Sequence, residues 1–168
     1  MSESTPAVAS AWQHPTSYRF YLQLYPQDGT ANLRRDVESY FKCRFMSMQG
    51  VDGGGVKNTY TEDYAEQNGL RLWTPKPDDI RFKENDVTIK LRFRSEECGD
   101  VIAARDAFYN YVVGKKLEWY DTFRKKYLQL CLIEAPTIEY EKLTGSQYCV
   151  MSYKFKNFGG KPYTSSQL

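Results

Sequence analysis

The chain has 168 residues, with 23 basic and 21 acidic side chains, and 41% of its residues are hydrophobic. This length suits a single domain with one core, and the near balance of charge indicates neither a nucleic-acid nor a membrane partner. No apolar run approaches the roughly 18 residues that cross a bilayer, so we expect a soluble protein made in the cytoplasm. Aromatic residues make up 15% of the chain, which is typical of strands and of protein interfaces.

The chain divides into an arm, a domain and a tail. Residues 1–16 are rich in Ser, Ala, Thr and Pro and show no hydrophobic period, which indicates an arm that packs on something else or stays mobile. Residues 17–158 form a single strand-rich domain, and residues 159–168 form a C-terminal tail.

Strands and turns alternate through the first half of this domain. Residues 18–25 alternate apolar and polar side chains, which predicts a strand with one buried face. A turn follows, residues 32–40 predict a short helix, and a strand begins at residue 41. Residues 49–69 form a long, glycine-rich and aperiodic loop, and its expected role is contact with a neighbouring protein.

This loop contains the triplet Gly53-Gly54-Gly55. A glycine-rich turn can hold phosphate, but no Lys-Ser/Thr pair follows here at the spacing of a nucleotide-binding loop. We therefore interpret the triplet as part of a contact surface.

The second half carries the clearest strand and the clearest helix. Residues 87–94 place four apolar side chains on one face and expose Lys90, Arg92 and Arg94 on the other. These basic side chains can meet nucleic acid, an acidic neighbour or water, and a solvated face is the favoured interpretation. Asp100 then precedes an amphipathic helix that ends at Gly114.

Four further strands are predicted at residues 117–120, 126–134, 137–143 and 147–156, separated by proline and glycine turns. With one main helix inserted between strands, the fold class is α+β. We expect an antiparallel β-sandwich or barrel-like sheet flanked by one main α-helix.

The side chains that carry chemistry are sparse. The single histidine, His14, lies in the arm before a proline, and the four cysteines, Cys43, Cys98, Cys131 and Cys149, are scattered without the close spacing of a zinc site. Acid–base and nucleophilic catalysis need a held histidine or a tuned carboxylate pair, and neither is recognisable. We expect no cofactor, no metal and no enzymatic activity.

The segment from the end of the main helix to residue 160 is distinctive. Its helix ends in glycine, a short strand carries Trp119-Tyr120-Asp121, a basic Arg124-Lys125-Lys126 run follows, and two long strands close the domain. This order resembles the tail tube and distal tail proteins of bacterial viruses, related to the phage major tail protein. The resemblance covers roughly residues 18–158.

The resemblance implies a structural protein of the virion. In this family a β-sandwich flanked by a helix assembles as a hexameric ring, a homo-oligomer, around the central channel of the tail. Its partners would be copies of itself and other tail proteins, and genomic DNA would pass through the channel without sequence-specific contact. Residues 1–16 and 49–69 would bridge neighbouring subunits or stacked rings.

The basic strand departs from the tube pattern. Lumens of tail tubes tend to be acidic, whereas this strand offers Lys90, Arg92 and Arg94. Either the strand does not face the channel, or the chain forms a connector or distal ring rather than the tube.

Candidate subunit-interface residues are aromatic side chains, the glycines of the loop, and the aspartate that follows Trp119 and Tyr120. Aromatic rings bury much area with few rotors to freeze, which suits anchoring. The candidates are Trp12, Gly53, Gly54, Gly55, Tyr60, Tyr64, Trp73, Trp119, Tyr120 and Asp121. For the cluster at 119–121 the alternative interpretation is one buried ring and an aspartate that binds backbone in a turn.

A different function is also open. An aromatic and basic sheet face can bind single-stranded nucleic acid or carbohydrate, and the candidate basic face is Lys90, Arg92 and Arg94.

Overall fold

Ten strands and three α-helices make up the part of the chain that the structure describes. The structure is a computed structural model and describes residues 19–26, 33–57, 59–62 and 71–168. The strands are β1 (Phe20–Leu24), β2 (Arg35–Asp36), β3 (Arg44–Gln49), β4 (Tyr60–Glu62), β5 (Arg71–Trp73), β6 (Asn85–Arg94), β7 (Lys116–Asp121), β8 (Lys126–Leu132), β9 (Thr137–Lys142) and β10 (Tyr148–Asn157). The helices are α1 (Val37–Phe41), α2 (Ser95–Cys98) and α3 (Val101–Val112), with a 3-10 turn at Pro77–Asp79.

Eight of the strands form one antiparallel sheet. Its order is β2-β1-β7-β8-β10-β6-β3, and β9 also pairs with β10. The ten-residue β10 holds two strands on one side: Phe155 in its C-terminal half lies opposite Leu132 of β8, and Tyr148 at its start lies opposite Lys142 of β9. Strands β4 and β5 form a separate small sheet.

The large sheet curls around one apolar core. Strand β6 alternates as its sequence predicts, with Val87, Ile89, Leu91 and Phe93 fully buried. Phe20 of β1 stacks on Phe45 of β3 with ring centroids 3.9 Å apart, although these strands lie near opposite ends of the strand order. The sheet therefore curls until its two ends meet through side chains, without a backbone pairing between β1 and β3, which gives a partly open barrel. The predicted α+β fold is confirmed.

Helix α3 is the predicted main helix. Asp100 caps it, because one carboxylate oxygen accepts hydrogen bonds from the N–H groups of Ile102 at 3.0 Å and Ala103 at 3.2 Å. Its buried face includes Phe108, whose ring meets the ring of Tyr153 edge to face at 4.8 Å. The helix thus packs its apolar face on β10 and the core.

The region before β3 differs from prediction. The helix expected over residues 32–40 begins only at Val37, because Arg35 and Asp36 pair with β1 as a short edge strand. The strand expected from residue 41 begins at Arg44, because α1 extends through Phe41 and Lys42 caps its C-terminus with a left-handed φ of 55°. Tertiary pairing overrides the local helical period here.

The C-terminal tail folds back over the sheet. Tyr163 and Tyr127 of β8 exchange two backbone hydrogen bonds, each 2.8 Å long. The Ser166 hydroxyl and the Gln167 N–H donate to the carboxylate of Glu118 in β7 at 2.8 and 2.7 Å. Glu118 is only 2% exposed, so the tail supplies hydrogen bonds that a buried carboxylate needs.

Candidate assembly surface

Strand β9 is exposed along its whole length. All six of its residues are exposed, whereas β8 and β10 each alternate between buried and half-buried positions for much of their length. Within the described residues β9 pairs only with β10, so its other edge has no strand partner. An open edge of this length is a template for pairing with another chain.

Large apolar side chains gather on and beside β9. Ile138 is 49% exposed, Tyr140 is 53% exposed, and the flanking Ile133 and Leu143 are 62% and 44% exposed. We call these four side chains the β9 patch. Clustered apolar exposure of this kind marks sites of protein contact more often than scattered single residues do.

The acidic residues of β9 are bound within the chain. Glu139 pairs with Lys90 of β6 at 2.9 Å, and Glu141 pairs with Arg105 of α3 at 2.5 Å. Charged side chains commonly protect an edge strand from unwanted pairing, and here both glutamates are engaged internally. The charge that would repel a neighbour is therefore reduced, while the apolar side chains stay exposed.

A groove lies where β9 turns into β10. It has a volume of about 610 Å³ and is lined by the rings of Tyr140 and Tyr148, by Val150, and by the basic side chains Arg94 and Lys142, among others. The two tyrosine rings meet edge to face at 5.5 Å. The groove continues the exposed β9 patch onto the neighbouring strand.

The predicted cluster at the end of β7 is divided between the core and a turn. Trp119 is fully buried and its ring lies 5.7 Å from that of Phe20. Asp121 is 3% exposed, and one of its oxygens accepts the backbone N–H groups of Phe123 at 2.8 Å and Arg124 at 3.2 Å. One buried ring and an aspartate that binds backbone in a turn were the alternative to an interface cluster. We therefore assign Trp119 and Asp121 no interface role.

The glycine triplet packs against the tail. The N–H of Gly54 donates to the carbonyl of Gly160 at 2.9 Å, and a Cβ on Gly54 would lie only 2.0 Å from the carbonyl oxygen of Lys83. A Cβ on Gly53 would lie 2.7 Å from the Gly160 oxygen, whereas one on Gly55 would meet nothing within 4 Å. Close backbone approach within the chain accounts for the first two glycines.

The other candidate interface residues fall into two groups. Trp73 on β5 is 47% exposed beside an exposed Leu72, so it stays a candidate for contact with a neighbour. Tyr60 belongs to β4, opposite Trp73 in the small sheet. Trp12 and Tyr64 lie outside the described residues.

The predicted basic face is largely neutralised. Besides the pair formed by Lys90, Arg92 lies 3.6 Å from Glu97, and Arg94 lies 2.9 Å from Glu96. Sequence alternation placed these cations on one face, but it could not show that each has a carboxylate beside it.

Metal ligands and thiols are the next candidates for chemistry in the described part of the chain. No group of three or more His, Cys, Asp or Glu side chains is placed to hold a metal ion among them. Burial raises the pKa of all four thiols, Cys43, Cys98, Cys131 and Cys149, which disfavours the reactive thiolate. No helix in the described part of the chain has the length and apolarity to cross a membrane.

Comparisons with known proteins give a similarity to solved structures and no sequence relative. Neither protein-family profiles nor curated protein sequences match the chain. A chain from a solved structure of the phage p2 baseplate, in its activated conformation with Sr, is similar with a TM-score of 0.49 and 17% sequence identity. The match covers 82% of this chain and 44% of that one, so this chain spans less than half of the matched chain's length.

Proposed function

We propose that the chain is a structural subunit of a bacteriophage or phage-derived tail that self-assembles into a ring, hexameric as the sequence resemblance implies, around the DNA channel. The observation that carries the proposal is β9, a strand with every residue exposed, an open edge within the described residues, and the apolar side chains Ile138 and Tyr140 about half exposed. The chain would act in the tail as a tube, distal or connector subunit, with other tail proteins as further partners. The proposal assigns it no catalytic role.

Ring formation needs two different surfaces on each copy, because a head-to-tail contact joins one surface to another. The β9 patch is the first. The second candidate is the exposed apolar group on and after β5, formed by Leu72, Trp73 and Ile80, with exposed fractions of 61%, 47% and 37%. Both surfaces would lose unfavourable contact with water when a neighbour covers them.

Native mass spectrometry and sedimentation of the full chain test this proposal. We expect a closed oligomer for the original sequence, and we expect Ile138→Lys and Tyr140→Lys to shift it toward monomer while the far-ultraviolet circular dichroism stays unchanged. Leu33→Lys is the matched control, because Leu33 is 66% exposed and lies outside β9. A chain that remains monomeric at high concentration would contradict ring assembly. An oligomer that survives both β9 substitutions would contradict the role of β9.

A further inference from the structure

A row of four tyrosines crosses the outer face of the sheet. Tyr21 of β1 lies opposite Tyr120 of β7, Tyr120 lies opposite Tyr127 of β8, and Tyr127 bridges to Tyr163 of the tail. Residues directly opposite one another share a face of the sheet, so the four side chains form one line. We call this line the tyrosine row, and at about 4.8 Å between neighbouring strands it spans about 14 Å.

Cations lie over the rings of the row. The Tyr120 and Tyr127 rings stack with centroids 4.4 Å apart, and the guanidinium carbon of Arg34 lies 5.6 and 5.7 Å from the two centroids. At the Tyr163 end of the row, Lys161 Nζ lies 5.5 Å from the centroid of the Tyr163 ring. The row therefore combines aromatic rings with one positive charge over its middle pair and a second at its Tyr163 end.

These cations differ from those of β6. Among the described residues no carboxylate lies within 4.0 Å of either Arg34 or Lys161, while all three cations on the outer face of β6 are ion-paired. The acids on this side are already engaged: Asp36 pairs with Arg19 at 2.9 Å, and Glu118 accepts hydrogen bonds from the tail. Arg34 and Lys161 are thus two cations beside the tyrosine row that no nearby carboxylate of the described residues neutralises.

We infer that the tyrosine row, with Arg34 and Lys161, is a binding site for single-stranded nucleic acid. The two cations would contact phosphates, and the tyrosine rings would stack on bases. The faces of the bases are open to such stacking in a single strand, whereas in a duplex neighbouring bases cover them. An acidic protein surface would match the charge but would leave the rings unused. A row of about 14 Å fits a short stretch of a few nucleotides. This binding goes beyond ring assembly and does not depend on it.

Fluorescence anisotropy of a labelled oligothymidine with the full chain at low salt tests the inference. We expect binding that weakens as salt rises and that falls about tenfold in Arg34→Glu. Lys154→Glu is the matched control: it makes the same charge change at an exposed residue of β10, and we expect less than about a twofold effect there. Tyr120→Leu keeps the bulk but removes the aromatic ring, and we expect about a fivefold loss or more at unchanged circular dichroism.

Four results would overturn the inference. No binding at low salt would exclude the site, and preferential binding of a poly-glutamate peptide would indicate an acidic protein partner instead. Equal losses in Arg34→Glu and Lys154→Glu would show diffuse attraction without a site. Binding of a duplex as tight as that of the single strand would show that only phosphates are recognised. Ring assembly is measured separately, so failure here leaves the β9 proposal standing.

Discussion

The carboxylate of Glu38 in α1 accepts a hydrogen bond from the backbone N–H of Phe45 in β3 at 2.7 Å. Glu38 is 1% exposed, and Arg44 Nε lies 4.0 Å from the same carboxylate oxygen. Burial raises the pKa of Glu38 to about 7, because it outweighs the opposing effects of the Phe45 N–H and of Arg44. A buried side chain that joins α1 to β3 therefore titrates near neutrality.

Protonation of Glu38 should make stability depend on pH. Its pKa is about 7 when folded and 4.5 in its ordinary state, so the folded chain binds more protons between these values. The free energy of unfolding should therefore fall as pH rises through this window, by about 3 kcal/mol at most. Urea unfolding across the window should show this slope in the original chain and a flatter profile in Glu38→Gln, whose amide oxygen can still accept from Phe45. The exposed Glu134→Gln is the control and should keep the slope; a slope that persists in Glu38→Gln would contradict the assignment.

Trp73 of β5 and Trp119 of β7 should respond very differently to substitution. Trp119 is fully buried, so Trp119→Leu should leave a cavity and lower the free energy of unfolding by about 2–4 kcal/mol. Trp73 is 47% exposed, so the matched Trp73→Leu should change it by less than about 0.5 kcal/mol. Denaturant unfolding of both variants measures the difference. Similar costs for the two substitutions would mean that Trp119 does not lie in the core.

The turn between β7 and β8 should depend on the carboxylate of Asp121 more than on its ion pair. Asp121→Ala removes the acceptor of two backbone N–H groups at a site 3% exposed, and we expect a loss of about 2–3 kcal/mol. Arg124 pairs with Asp121 but its side chain is 39% exposed, so Arg124→Ala should cost less than about 1 kcal/mol. Thermal unfolding monitored by circular dichroism compares the two. A larger cost for the arginine substitution would show that the ion pair, not the turn, is what matters.

Neighbouring glycines of the triplet should tolerate alanine unequally. Gly54→Ala places a Cβ 2.0 Å from the backbone oxygen of Lys83, so the chain must shift, and we expect a loss of about 1–3 kcal/mol. Gly55→Ala meets open space and is the matched control, with an expected change of less than about 1 kcal/mol in either direction. Urea unfolding of the two variants decides the point. Equal stability would show that residues 53–55 do not approach residues 81–84 this closely.

The hydrophobic period of the sequence predicted the strands and helices that have one buried face. The alternation in β6 and the capped, amphipathic α3 were predicted nearly to the residue, because each side chain's burial follows from a fixed period of 2 or 3.6. The pattern was a poorer guide before β3. There Asp36 joins a short edge strand and then caps α1, and pairing with Tyr21 decides between strand and helix.

The two candidate sites, the β9 patch and the tyrosine row, could not be predicted from the sequence. Apolar and polar residues alternate in β9 as they would in a half-buried strand. The sequence does not show that β9 pairs with the half of β10 that β8 leaves free, or that the other edge of β9 stays open. The tyrosine row joins Tyr21, Tyr120, Tyr127 and Tyr163, which lie far apart in the chain and meet only through the register of three pairings.

The sequence by itself determined the class of elements and their faces, because hydrophobic period, caps and turns act over a few residues. Only the tertiary structure decided which faces remain open. It buried Trp119, paired Lys90, Arg92 and Arg94 with carboxylates, and left β9 and Arg34 exposed. The physical reason is that burial and ion pairing depend on which distant segments meet, and strand register fixes those meetings across the whole sheet.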